Sequence, residues 1–509
     1  MYISKTFNPK QSKPQTKHYM KKTTLTLVVL MSVAFASHAN AQTPQKDTAS
    51  KKHVLQDQTP FDNMDQSWVN GNDRRDSSVF HIPYFTPEIF VDANVTYSGN
   101  NPIDHTVVGS TALARNNEME ISQLGFGGDF NYDGARGRFM TQFGTRDEVV
   151  PRNDYSTYRG QYDLQDAYRY ISEAYGGYHF NAMHGINVDG GLFMSYIGLN
   201  SYYQVENWDY QASYTSDNTP WFFNGIRTQI FPSNKLKIEI WLINGWQSYA
   251  TFNSNPGFGG NITWCPNENI KLLTNDYYGQ DDAGLLGRHR FHSDNSFLVR
   301  YFHRPKSSKG ITQMAFSLTG DIGDESGDGV NGFNGFKKGN DSTGYAQYFV
   351  SAMFYNRIWF AHGKWAWMFG GGVMVNPGRY LVLEPTGQAS DLPTPAAIQM
   401  SNGTILQTTT QEGIVPFTQN PGDQFTAWDC STNISWMPNQ SIEFKLELLH
   451  RQASVPYFAG PGGVTSPNGY TTDPVLIQQP NGSLASISGW VPDLVRSENR
   501  IIVAILFRI

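Results

Sequence analysis

From about residue 85 to Ile509 the chain repeats one unit, an alternating apolar and polar stretch of about a dozen residues followed by a link whose length depends on its place in the series. Links after even-numbered stretches are short and built of turn residues: Asp133-Gly134, Asn181 to Gly185, Pro232-Ser233-Asn234, Pro266-Asn267, Pro305 to Lys309, Asn356 to Gly363 and Pro438-Asn439. Links after odd-numbered stretches are mostly long, as at 147–169, 198–219, 321–342, 376–423 and 453–497. A soluble β-sandwich has no reason to sort loop length by parity. A closed barrel with one rim at the periplasm and the other outside the cell does.

Two stretches show the two-residue period most cleanly. In 235–245, Leu236, Ile238, Ile240 and Leu242 share one face, opposite Lys235, Lys237, Glu239 and Trp241. In 441–451, Ile442, Phe444, Leu446 and Leu448 oppose Glu443, Lys445, Glu447 and Arg451. Such faces suit lipid on one side and water on the other. The expected fold is all-β, a transmembrane up-and-down antiparallel β-barrel of about 16 strands with long extracellular loops and short periplasmic turns. The eleventh strand is expected over 310–320 and the twelfth over 343–355.

Both ends of the chain carry address information. Lys21 and Lys22 precede an apolar run from Leu25 to Ala36, and Ala39-Asn40-Ala41 supplies a small-x-small cleavage site. The expected organisation is therefore a signal peptide over 1–41, a polar periplasmic tail over 42–83, flexible or laid into the lumen, and the barrel over 84–509. The last stretch sets Ile501, Val503, Ile505, Phe507 and Ile509 on one face, the form of terminal strand that barrel-insertion machinery reads. The expected location is the outer membrane of a Gram-negative cell, in contact with its lipid.

Charge narrows the partners. The first 41 residues hold six lysines and no acid, leaving 32 basic residues against 44 acidic ones, a balance of −12 that argues against nucleic acid. A mean hydropathy of −0.45 would place the chain among soluble proteins. Barrels evade that measure because only every second residue meets lipid. Heavy use of Phe (32), Tyr (27) and Trp (12) fits aromatic girdles at the two interfaces.

Several longer segments resemble the OmpL-like outer-membrane β-barrel porin family: Trp208-Asp209-Tyr210 through Asn218-Thr219-Pro220-Trp221 to Arg227, Lys235 to Gln247, Asn376 to Tyr380, Asn420 to Asp423, His450-Arg451, and Val455 to Val464. The resemblance implies an outer-membrane barrel with a porin role and no catalytic motif.

Strand parity nominates Arg138, Asp189, Arg227, Glu239, Asp294, Arg300, Glu443, Lys445 and Glu447 as pore-lining residues. They either set a field across a constriction or pair across strands and hold the wall. The segments 376–423 and 453–497 are long enough to fold into the bore or to cap it. Asp321, Asp324, Glu325 and Asp328 offer oxygen ligands in what reads as an outer loop, a weak calcium candidate whose spacing does not match an EF-hand. No phosphate loop and no nucleophile elbow occurs, so neither a cofactor nor an enzymatic activity is expected. The expected function is passive diffusion of small hydrophilic solutes. The alternative is a non-conducting barrel that anchors or adheres through its loops. Association into homo-oligomers is left open by the sequence.

Overall fold

The computed structural model describes residues 61–509 apart from 62, 76–77, 81, 152–153, 155–160, 252–254, 282–285, 308–309, 329, 333–346, 378–397, 400–404, 407–424, 465–468, 470–475, 479–483 and 487–492. The expected signal peptide over 1–41, the tail from 42 to 60 and most of the 376–423 loop lie outside the described residues.

Sixteen strands form one antiparallel sheet that closes on itself. In chain order they are β1 (Phe85–Ser98), β2 (Met119–Tyr132), β3 (Ala135–Thr141), β4 (Ile171–Phe180), β5 (Ile186–Met194), β6 (Phe222–Ser233), β7 (Leu236–Ile243), β8 (Gly257–Asn267), β9 (Ile270–Gly279), β10 (His289–His303), β11 (Ile311–Gly327), β12 (Tyr348–Phe360), β13 (Trp365–Asn376), β14 (Phe425–Asn439), β15 (Ile442–Ala453) and β16 (Ser497–Arg508). Each pairs with its sequence neighbours, and β16 returns to β1 in a register running from Phe90 opposite Arg508 to Ser98 opposite Arg500. Closure leaves no sheet edge, the condition a strand must meet where no water can satisfy its amides.

The wall is inverted relative to a soluble protein. On β15, Leu446 and Leu448 are 48% and 49% exposed while Glu443, Lys445 and Glu447 are buried. β16 repeats the pattern, with Ile501, Val503 and Ile505 outward and Arg500, Ile502 and Ala504 inward. Near the turns, outward aromatics pack along the rim: Trp365 stacks on Trp436 at 6.0 Å and Trp436 on Phe444 at 5.2 Å. Cys265 is buried near the end of β8, Cys430 is exposed on β14, and both are free thiols.

Three strands depart from the sequence reading by five residues or more: β3, read over 135–146, ends at Thr141 ahead of a helical turn at Thr145–Val149, and β11 and β12 are also displaced. β11 runs past Gly320 to Gly327, and β12 spans Tyr348–Phe360 rather than 343–355. Gly320 and Asn356 read as chain breakers. In the barrel Gly320 simply pairs with Ala352, and the Asn356 amide donates to the Tyr301 hydroxyl at 3.0 Å. The β12–β13 turn falls instead at Ala361, His362 and Gly363, all with positive φ.

Candidate functional site: a strapped lumen

The lumen is not an open bore. The loop joining β5 to β6, residues 195–221, folds inward and is buried over most of its length, with Gln204, Asp209, Tyr210, Gln211 and Tyr214 each at most 1% exposed. This strap leaves the wall between β5 and β6 and is received by β12 through β16 and by β1, on the far side of a sixteen-strand ring. Most of the contacts join strap backbone to wall side chains. The Glu447 carboxylate accepts the amides of Tyr210 (2.7 Å) and Gln211 (2.9 Å), and Asp429 accepts that of Tyr214 (2.8 Å). Lys445 donates to the carbonyls of Asn207 and Asp209, at 3.1 and 2.9 Å. Asn433 and Arg357 donate to the Trp208 carbonyl, and the Tyr210 hydroxyl to Asp92 at 2.8 Å. A strap without regular structure has unpaired amides and carbonyls, and a buried wall of charges has unpaired carboxylates and ammoniums. Each satisfies the other.

A second loop locks the first. Residues 99–118, between β1 and β2, bring Ser110 against Gln211 (2.6 Å) and Thr111 against Asp217 (2.7 Å). Arg451, fully buried, donates to the carbonyls of Gly109 and Ala212 and to the Asp217 carboxylate at 2.7 Å, joining both loops to β15. The described part of the 453–497 loop completes the packing, with Tyr457 and Phe458 buried in one apolar cluster with Val108 and Tyr214. Where the strap leaves the wall, Tyr196 lies flat on β8 at Gly259. A Cβ there would meet the tyrosine hydroxyl at 1.6 Å, so only glycine fits.

The opposite mouth holds the chain's own N-terminal segment. Trp68, 1% exposed, donates to the Glu268 carbonyl at 2.9 Å, while its own carbonyl accepts the Trp208 indole at 3.0 Å. Arg300 pairs with Asp65 and with Glu268 (2.9 Å), and Arg74 approaches Glu443 at 3.9 Å. The part of the tail from 63 to 75 is therefore laid into the lumen, the second of the two arrangements open from sequence.

All nine nominated residues face inward, and none stands alone. Arg138 bridges Glu173 (2.5 Å), Asp129 (2.8 Å) and Glu88 (3.2 Å). Asp189 pairs with Arg227 at 2.8 Å, and Glu239 accepts from Lys237 at 2.8 Å and Gln229 at 2.7 Å. Asp294 accepts from Asn275 at 2.8 Å, and Arg300 holds the N-terminal segment. Glu443, Lys445 and Glu447 form the strap's seat, with Glu443 also 3.2 Å from Arg357. On the strap itself, burial pushes the Asp209 carboxyl up to about 7, and the Glu447 carboxylate adds to the push.

The four calcium candidates do not converge. Asp321, Asp324 and Glu325 belong to the end of β11 and Asp328 follows its last residue, and alternation splits the three strand residues between two faces. Asp321 sits opposite Asp294, Glu325 pairs with Arg290 at 2.6 Å, and Asp328 accepts the Gly287 amide at 2.8 Å. Among the described residues no group of three or more His, Cys, Asp or Glu side chains is arranged to hold a metal.

The sequence reading looked for lumen-filling loops at 376–423 and 453–497 and passed over 198–219. The signal available was the run of charges on the inner faces of β14 and β15, from Asp429 to Arg451, more than one wall can pair by itself. A polar aromatic loop was the natural counterpart.

A family model for the OmpL-like beta-barrel porin-2 family matches residues 85–355, more than half of the chain. The chain belongs to that family. It is accordingly an outer-membrane barrel of porin type. Among solved structures it is similar in fold to the outer membrane protein OmpT of Vibrio cholerae, at 6% identity, covering 85% of this chain and 100% of that one with a TM-score of 0.42. The outer membrane channel DcaP of Acinetobacter baumannii aligns at 10% identity over 87% of this chain and 100% of its own, TM-score 0.44. An anion-selective porin from Comamonas acidovorans aligns at 10% over 84% and 99%, TM-score 0.43. Comparison with curated proteins returns no match.

Proposed function

We propose that the barrel is a diffusion channel for small hydrophilic solutes whose path runs beside the strap rather than through the centre of the bore. The observation that carries this reading is a cavity of about 590 Å³ left between the strap, the N-terminal segment and the inner face of β7 to β9. The strap presses its polar groups on β12 to β16 and fills that side of the lumen. The inner face of β7 to β9 keeps a polar wall, with Lys237, Asn261, Thr263 and Lys271 lining the cavity. Ion pairs such as Asp189 with Arg227 and Lys237 with Glu239 brace the wall around it. Nothing in the reading calls for a cofactor, an energy source or a chemical reaction. It has β16 serve the insertion machinery, and barrels associate through their apolar outer faces.

The test is single-channel recording of refolded protein in a planar bilayer, repeated across a salt gradient. Stepwise current with a defined reversal potential is expected. Silence from a heat-modifiable, folded barrel would refute the channel and favour an anchoring barrel, for which the dense strap would be a permanent plug.

A further inference from the structure

We infer that the cavity beside the strap is a binding site for a small hydroxyl-rich carboxylate, a sugar acid in chemical class. This rests on the reading of that space as a solute path. Its volume, about 590 Å³, lies within the roughly 300–1,000 Å³ of small-molecule sites.

The charge of the lining is one-sided. It carries Lys237 and Lys271 and, among its described residues, no carboxylate at all. Lys237 spends its charge on Glu239, 2.8 Å away. Lys271 has no carboxylate within ion-pair distance among the described residues, although it faces the lumen of an acidic protein. A third cation stands behind the wall: the Arg146 guanidinium, 1% exposed, lies over the rings of Tyr202 and Trp221 at 4.2 and 4.7 Å, and both rings line the cavity. None of its nitrogens has a hydrogen-bond partner among the described residues.

The amides point the same way. Asn70, 3% exposed, accepts the Trp208 amide on its Oδ1 at 3.0 Å, which fixes the orientation of the side chain and leaves Nδ2 without an acceptor. Gln66 likewise uses Oε1 for the Cys265 thiol and leaves Nε2 unpartnered. Both residues line the cavity. The Lys271 ammonium wants an acceptor, which a carboxylate supplies, and the hydroxyls of the same solute reach the polar groups that line the cavity, Asn200, Asn261 and Thr263 among them. The faces of Tyr196 and Tyr202 give a carbon skeleton something to lie against. A cationic solute of the same size would meet the Lys271 ammonium with no compensating charge beside it, and a neutral sugar would leave Lys271 unpaired.

The test is calorimetric titration of the folded, detergent-solubilised protein with sodium gluconate, against glucosamine hydrochloride and glucose. Gluconate is expected to bind at least about tenfold more tightly than either, and Lys271→Gln to lose at least about tenfold of that affinity, as removal of one charge-assisted hydrogen bond implies, while Lys271→Arg keeps it. Asn261→Leu, across the same cavity, is expected to weaken binding without altering charge, which preserves the test if the lysine variant misfolds. Equal affinity for gluconate and glucosamine, no binding of gluconate, or an unchanged Lys271→Gln would each overturn the inference. The titration is read without current. A silent bilayer therefore refutes the channel alone, and a conducting barrel indifferent to gluconate refutes the site alone.

Discussion

Replacing Glu447 by alanine isolates what holds the strap. The carboxylate is fully buried and accepts three hydrogen bonds, from the amides of Tyr210 and Gln211 and from the Asn433 side chain at 2.9 Å. Alanine leaves two backbone N–H groups buried without acceptors, at about 1–3 kcal/mol each, so roughly 2–6 kcal/mol is lost from the seated strap. The barrel ladder does not depend on these bonds, so the loss falls on the strap's seating and not on the fold. We expect the Glu447→Ala barrel to stay heat-modifiable while amide exchange across residues 205–215 accelerates by at least about thirtyfold, the factor for 2 kcal/mol. Single-channel current should become larger and noisier. Glu447→Gln, which keeps one acceptor oxygen, should fall between. If exchange and current in Glu447→Ala match the parent, the strap is held by packing alone and the electrostatic seat is wrong.

Three further outcomes follow from the same contacts. Arg451→Met leaves Asp217 and Asp429 buried without their partner and should lower stability by about 3–5 kcal/mol, read as a drop in the temperature of the heat-modifiability shift; an unchanged temperature would show that the two loops do not depend on it. For Asp209, the seated strap retains a proton between the ordinary carboxylate value and about 7 while a released strap does not, so acid favours seating and the preference is lost as pH rises through about 7. Current noise should thus be lower at pH 5 than at pH 8, and Asp209→Asn should flatten that difference. Trp68→Ala removes a fully buried indole at the periplasmic mouth, worth about 3–5 kcal/mol, and should make the 63–75 segment cleavable by protease added on the periplasmic side; resistance equal to the parent would place the anchor elsewhere.

The wall of this protein was legible in its sequence, because alternation and turn chemistry are local. Lys235 to Ile243 declares its two faces without help from any other residue, and Asp133-Gly134 or Pro438-Asn439 marks a turn wherever the strands later go. At β11 and β12 the errors fell where a breaker residue sat inside a strand. Gly320 and Asn356 are stops by local preference, and the ladder overrode them because neighbouring strands on both sides offered pairing.

Sequence alone determined the class of fold, a strand number of about sixteen and which side chains face inward. Each follows from a period of two and from loop length, quantities that survive without tertiary contacts. What fills the lumen was decided only by closure. Glu447 meets Tyr210 across 237 positions of chain, and Trp68 meets Trp208 across 140. No local pattern encodes partners that far apart. A buried charge must find a counterpart, and which loop supplies it depends on which loops the closed ring brings within reach of β14 and β15.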